Sequence, residues 1–248
     1  MTDWRSEVDA WWAARLRLPP AALRTGGTWV MPGSGHIAVM AVTGADRPLG
    51  YGPARALPVL RQVMAAVPAG PLAEGGRFTG GPLAPAARAA AASGFRPEAA
   101  IGPAWHGYVT AASLIRERSP AVRPLSPADL PLLSRLREQA PPGERDESGT
   151  TGLPAYGYLD GGALLAVACL GLWHEMPTLG VLTHPAHRGR GLARAVVAAA
   201  AQAGLDRRPV VQYRAWRGNA ASIAVARHTG FAYYCDGLVI DLGDERTG

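Results

Sequence analysis

The stretch Leu182-Thr183-His184-Pro185-Ala186-His187-Arg188-Gly189-Arg190-Gly191-Leu192-Ala193 holds the residues best placed to do chemistry. A strand-like apolar run ends at Thr183, a proline follows, and a turn broken by two glycines opens an Ala-rich helix. The first four N–H groups of a helix have no acceptor within it, and glycines let a ligand approach them closely, so such a turn can hold an anion of phosphate type. Arg188 and Arg190 add positive charge at the same place. On these residues alone the turn reads equally well as an ordinary strand-to-helix connection in which glycine serves only sterics. His184 and His187 flank it and are expected to orient the loop.

The elements that must position this turn come from periodicity and punctuation. Upstream, Ser126-Pro127-Ala128-Asp129 combines a capping Ser, a proline at the first helical position and an acid in the first turn. Leu130, Leu133 and Leu136 then form the expected buried face. A Gly- and acid-rich loop (141–152) leads to a strand at Ala155–Leu159, and Asp160-Gly161-Gly162 turns it into a long apolar strand, Ala163–Trp173. A strand at Thr178–Thr183 enters the turn, and the helix Leu192–Ala203 leaves it, capped by Gly204. A strand (Val210–Ala215), a helix (Ala220–Thr229, ended by Gly230) and a final strand pair (Phe231–Leu242) follow. The first half opens with a helix over Asp3–Leu18 that stops at Pro19-Pro20. Strands at Thr28–Met31 and His36–Val42, a helix after Pro53, a helix from Leu83 to Ser93 and a loop-then-strand at 101–108 complete an α+β pattern. The stretch from Ile115 to Pro127, with three prolines, marks a linker, giving domains 1–117 and 121–245.

Composition limits the function classes. Hydrophobic residues make up 48% of the 248, enough for a real core. The longest apolar run, Ala163–Trp173, is far short of a bilayer span and the N-terminus lacks a signal-peptide core, so no membrane association and a cytoplasmic location are expected. Cys169 and Cys235 are expected to be reduced core residues. The net charge of +6 rests on arginines alone. They are scattered among acids and prolines with no basic helix face, so nucleic acid is not an expected partner, although a positive surface helps attract an anionic cofactor.

The turn is similar to the signature of the GNAT superfamily of N-acetyltransferases: Arg or Gln, two residues, Gly, one residue, then Gly or Ala, here Arg188, Gly191 and Ala193. Trp216-Arg217-Gly218-Asn219-Ala220-Ala221-Ser222 through Gly230-Phe231 resembles that family's second motif, in which an Asn opens a helix ending in Gly-Phe. The resemblance spans roughly Arg123–Leu242. It implies a GNAT fold, a mixed and mostly antiparallel sheet flanked by helices and splayed between two central strands, beside an α+β first half. It further implies acetyl-CoA as cosubstrate with no metal, and transfer of its acetyl group to a primary amine of a small molecule or peptide. Backbone groups at Val181, Leu182 and Thr183 would face the pantetheine arm. The amides of Arg188, Gly189, Arg190, Gly191, Leu192 and Ala193 would hold the pyrophosphate, with Asn219 and Ser222 near the far end of the arm. Asn219 fits a plain helix cap as well.

The chain departs from this pattern at Ala226, where many members carry the Tyr that protonates the leaving thiolate. Tyr234 is the chosen substitute, with Tyr233 and Tyr213 beside it, and all three also fit half-buried strand aromatics. Glu175, with His174 adjacent, is the candidate general base, positioned to take a proton through one water; the nearby Pro177 suits a plain exposed turn equally. No nucleophilic triad is evident, in keeping with direct attack by the amine. The alternative is a non-catalytic regulatory protein that binds acyl-CoA. Ala86–Phe95 ends somewhat like Ala220–Phe231, so the first half reads either as a degenerate GNAT-like domain or as an unrelated cap. Its Trp105, His106 and Tyr108 fit a core or a substrate pocket. A monomer and a homodimer are both compatible with the sequence.

Overall fold

The computed structural model describes residues 3–31, 35–66, 84–96, 100–173 and 175–243. His174 and Leu83 lie outside the described residues. The chain opens with α1 (Trp4–Leu16), whose buried Val8, Trp12 and Leu16 recur at helical spacing. It continues through α2 (Ala22–Thr25), β1 (Gly27–Val30), β2 (His36–Val42), β3 (Leu49–Gly52), α3 (Leu57–Ala66), α4 (Ala84–Ala92) and β4 (Ala100–Thr110). There follow β5 (Val122–Pro124), α5 (Leu130–Gln139), α6 (Pro142–Glu147), β6 (Ala155–Asp160), β7 (Ala163–Trp173) and β8 (Met176–Thr183). The last elements are α7 (Leu192–Leu205), β9 (Val210–Trp216), α8 (Ala220–His228) and β10 (Ala232–Asp241).

Two compact units result. One takes in 1–106, 215–219 and 233–248, the other 107–214 and 220–232. From Tyr233 on, β10 therefore lies in the first unit, although the sequence groups it with the second half. There it pairs antiparallel with β2, from Cys235↔Val42 to Asp241↔His36. It is one continuous strand, where a strand pair was expected. Asp236-Gly237 looks like a turn, but Gly237 is needed for room, since a Cβ there would come within 2.9 Å of His106 Nε2.

Within the first unit the strand order is β1-β3-β2-β10. β3 went unread in the sequence because glycines at 50 and 52 dilute its pattern. Their role is packing, since a Cβ on Gly50 would lie 2.3 Å from Met64 Sδ and one on Gly52 2.5 Å from Ile37 Cγ2. The core here gathers Ile37, Val39, Leu60, Val63, Leu238 and Ile240.

Within the second unit the order is β9-β8-β7-β6-β5, antiparallel from β5 to β8 and parallel between β8 and β9. α7 packs on β6, β7 and β8, and Leu133, Leu136, Val167 and Leu182 anchor a core on α5, β7 and β8. Leu130 is 40% exposed, because the helix proper only starts there and its inward face begins one turn later. The loop expected at 141–152 contains α6. Gly204 falls inside α7 and does not cap it; a Cβ there would reach 2.7 Å from Val211 Cγ2, so the glycine lets the helix lie close to β9. Both cysteines are free and buried, with burial pushing their thiols above the ordinary pKa. No helix among the described residues is long and apolar enough to cross a membrane.

Candidate active site

The site begins with an interruption in the sheet. β8 pairs with β7 along its whole length, from Trp173↔Met176 to Ala166↔Thr183. On its other side it meets β9 at only two positions, Thr178↔Gln212 and Leu179↔Tyr213. Beyond Leu179 the two parallel strands share no ladder, and among the described residues no strand pairs with the β9-facing edge of Gly180, Val181, Leu182 and Thr183. An open strand edge presents backbone N–H and C=O groups to any chain with matching amides. The backbone after α6 lies on Gly180: a Cβ there would fall 2.4 Å from Ser148 O and 2.5 Å from Gly149 O.

β8 runs directly into the glycine turn. His184 accepts the Ala186 N–H on Nδ1 at 3.1 Å and starts a short 3-10 turn over Pro185–His187, the loop-orienting part its position suggests. Gly189 and Gly191 have φ of 75° and 81°, a left-handed conformation that costs other residues about 1–2 kcal/mol. Gly191 is the N-cap of α7 and offers no side-chain cap. Its carbonyl takes the N–H groups of Arg194 and Ala195 at 3.0 and 3.3 Å. Among the described residues nothing accepts the N–H groups of Gly189, Arg190, Gly191, Leu192 and Ala193. These donors lie together at the start of a 14-residue helix, an arrangement with the chemistry to receive an anion.

Guanidinium groups border this site, two of them held by acids. Arg188 bridges to Glu144 of α6 at 2.6 Å, and Arg194 to Glu117 at 3.3 Å. Arg190 has its Nη1 3.4 Å from His187 Nδ1. The two acids escaped sequence reasoning. They stand 44 and 77 positions from their partners, and no local spacing signals such a pairing.

At the point where β8 and β9 part, the Tyr213 hydroxyl is 2.9 Å from Ser222 Oγ in the first turn of α8. Phe231 packs edge-on against the Tyr213 ring at 5.4 Å. Burial pushes the Tyr213 phenol up to about 12, against the pull of the Ser222 hydrogen bond, so it remains protonated and able to donate. Ala226 is fully buried. Asn219 directly precedes α8 and is exposed.

The two residues chosen for proton transfer have unlike surroundings. Glu175 occupies the β7–β8 turn with φ 67°, its side chain 83% exposed and 3.7 Å from Arg208. It lies four residues before Leu179, where β8 and β9 part, roughly 13 Å along the strand at about 3.3 Å per residue. Tyr234 is fully buried in the first unit, where its hydroxyl donates to Asp9 Oδ1 at 2.6 Å and Asp9 also binds Arg24. A phenol whose proton is committed to a partly buried carboxylate, itself paired with Arg24, is a structural tie. Neither placement supports the catalytic role expected from the sequence. Tyr233 stacks on Trp105 at 6.0 Å, and burial together with Asp236 raises its phenol. Trp105, His106 and Tyr108 are buried, and Tyr108 accepts the Gln212 amide at 2.6 Å.

No curated protein matches the chain. Solved structures do, at low identity. A GNAT-family acetyltransferase of Novosphingobium aromaticivorans aligns at 20% identity and TM-score 0.49 over 61% of this chain and 69% of its own. One from Colwellia psychrerythraea aligns at 16% and 0.45 over 59% and 58%, so the match spans less than two thirds of it. The ribosomal-protein-S18-alanine N-acetyltransferase of Escherichia coli aligns at 17% and 0.38 over 51% and 96%. The model of the acetyltransferase (GNAT) family matches residues 119–231, a segment that holds the parted strands and the open turn, and this half of the chain is a GNAT acyltransferase domain.

Proposed function

We propose that the second unit moves an acetyl group from acetyl-CoA to a primary amine of a small molecule or peptide. The carrying observation is the continuity of two open backbone surfaces, the free edge at Gly180–Thr183 and the unaccepted amides at Gly189–Ala193. A pantetheine arm carries two amides and ends in a pyrophosphate. Laid along β8, it would pair its amides with the strand and set its phosphates on the turn. Its thioester would then reach the point where β8 and β9 part, near Tyr213 and Ser222.

In this reading the amine attacks the thioester carbonyl directly, the C–S bond breaks, and the thiolate leaves while the amine nitrogen gives its proton to water. Catalysis comes mainly from holding the two reactants together. The Tyr213–Ser222 hydroxyl pair, not Tyr234, is then the donor closest to the departing sulfur, and no side chain is assigned as base. The test is incubation of the full chain with acetyl-CoA and a library of amino acids, polyamines, aminoglycosides and peptides, read by mass spectrometry. Acetylated product with matching release of CoA thiol supports transfer. The buried Ala226 in place of a tyrosine favours the second reading, an acyl-CoA-binding regulator; tight CoA binding with no product on any amine would establish that one instead.

A further inference from the structure

The arginines around the turn are not waiting in water. Arg188 and Arg194 each hold a carboxylate from a distant segment, and the four side chains are 41–45% exposed. Glu117 accepts one hydrogen bond from Arg194, Nη2 to Oε1 at 3.4 Å, and its Oε2 stands 3.3 Å from Nε as an ion pair without a hydrogen bond. Arg194 also lies over the site itself, for a Cβ on Gly191 would come within 2.9 Å of its Nη2. Glu144 is set by the fold as well: it sits in α6, whose continuation at Ser148 and Gly149 rests on Gly180 of β8. Two of the three guanidinium charges beside the open amides are thus met internally, and Arg190 is left with a histidine neighbour.

We propose that Glu117 and Glu144 are specificity-determining acids of this site, internal counter-ions that are exchanged for the phosphates of the incoming cofactor. The proposal rests on the reading of the turn as the CoA site. A half-exposed ion pair is weak, so the exchange is easy for a ligand that replaces each lost carboxylate contact. CoA, with a pyrophosphate and a further phosphate, meets Arg188, Arg194 and the amides together. A single inorganic phosphate trades one bridge for another and gains little. The acids therefore lower affinity for every anion while penalising small ones most.

The experiment is calorimetric titration of the full chain with CoA and, separately, inorganic phosphate, for the parent, Glu144→Gln, Glu117→Gln and Gly191→Val, each confirmed folded by circular dichroism. Both Gln variants should bind CoA about threefold more tightly, in line with the modest strength of exposed pairs. Their combination should bring phosphate binding into the measurable range. Unchanged or weaker CoA binding in both Gln variants, with Gly191→Val losing CoA, would overturn the counter-ion role alone and mark the acids as arginine-positioning groups. CoA binding by Gly191→Val equal to the parent would overturn the cofactor reading beneath it.

Discussion

The second unit starts two of its helices in opposite ways. Ahead of α5, the Ser126 N–H and hydroxyl both donate to Asp129 Oδ2 at 2.8 Å, and Arg123 clasps the same carboxylate at 2.9 and 2.7 Å. Pro127 contributes no N–H at all. The Arg123 guanidinium, and then Ser126, hold the Asp129 carboxyl well below the usual carboxylate range. Ahead of α7, glycine takes the capping position and side chains leave the first amides alone. Of the same kind of helix-start donors, the Ser126 N–H is taken by a side chain in one place, while in the other nothing among the described residues accepts those of Gly189–Ala193. A closed start secures the fold, and an open one has donors it can offer to an anion.

The largest break in this contrast comes from adding a side chain to the open start. Gly191→Val should raise the dissociation constant for CoA by at least about 10²-fold, roughly 2.7 kcal/mol, because it pushes phosphate from several amides at once. The left-handed φ adds a stability cost of about 1–2 kcal/mol, so calorimetry follows a check of folding. Parent-like affinity in a folded variant would remove the turn from the site.

Ser126→Ala, at the closed start, should do the reverse: a stability loss of about 1 kcal/mol in denaturant titration, with CoA affinity unchanged. The pH dependence has a definite sign. A carboxyl whose folded pKa is depressed stabilises the fold above its unfolded pKa and loses that contribution as pH falls through the folded one. The melting-temperature gap between parent and Asp129→Asn should therefore be widest near neutrality and close on strong acidification; a gap that grows in acid would contradict the Arg123–Asp129 tie.

Single exposed charges should matter less. Arg190→Ala is expected to change the CoA dissociation constant by less than about tenfold, since a screened surface contact contributes about 1 kcal/mol or less. Glu175→Gln should leave turnover within about threefold across pH, whereas loss of a general base costs about 10²-fold or more. A drop of that size, steepest on the acid side, would restore Glu175 to the mechanism.

The sequence by itself determined the turn and its neighbours. Glycine, proline and capping residues restrict the backbone locally, so the strand–turn–helix at 178–203 and the Ser126–Asp129 start could be read with their chemistry, and the motif at Arg188–Ala193 carried the family. Tertiary structure decided what depends on distant segments meeting. The parting of β8 from β9 after Leu179 is a matter of strand pairing, and β10 found its partner in β2 nearly two hundred positions earlier. Glu175 and Tyr234 had suitable chemistry, but packing left one in solvent and closed the other onto Asp9. Glu117 and Glu144 came to the arginines in the same way. Residue type sets what a side chain can do, and only the packed chain sets its neighbours, its exposure and the groups left open for a ligand.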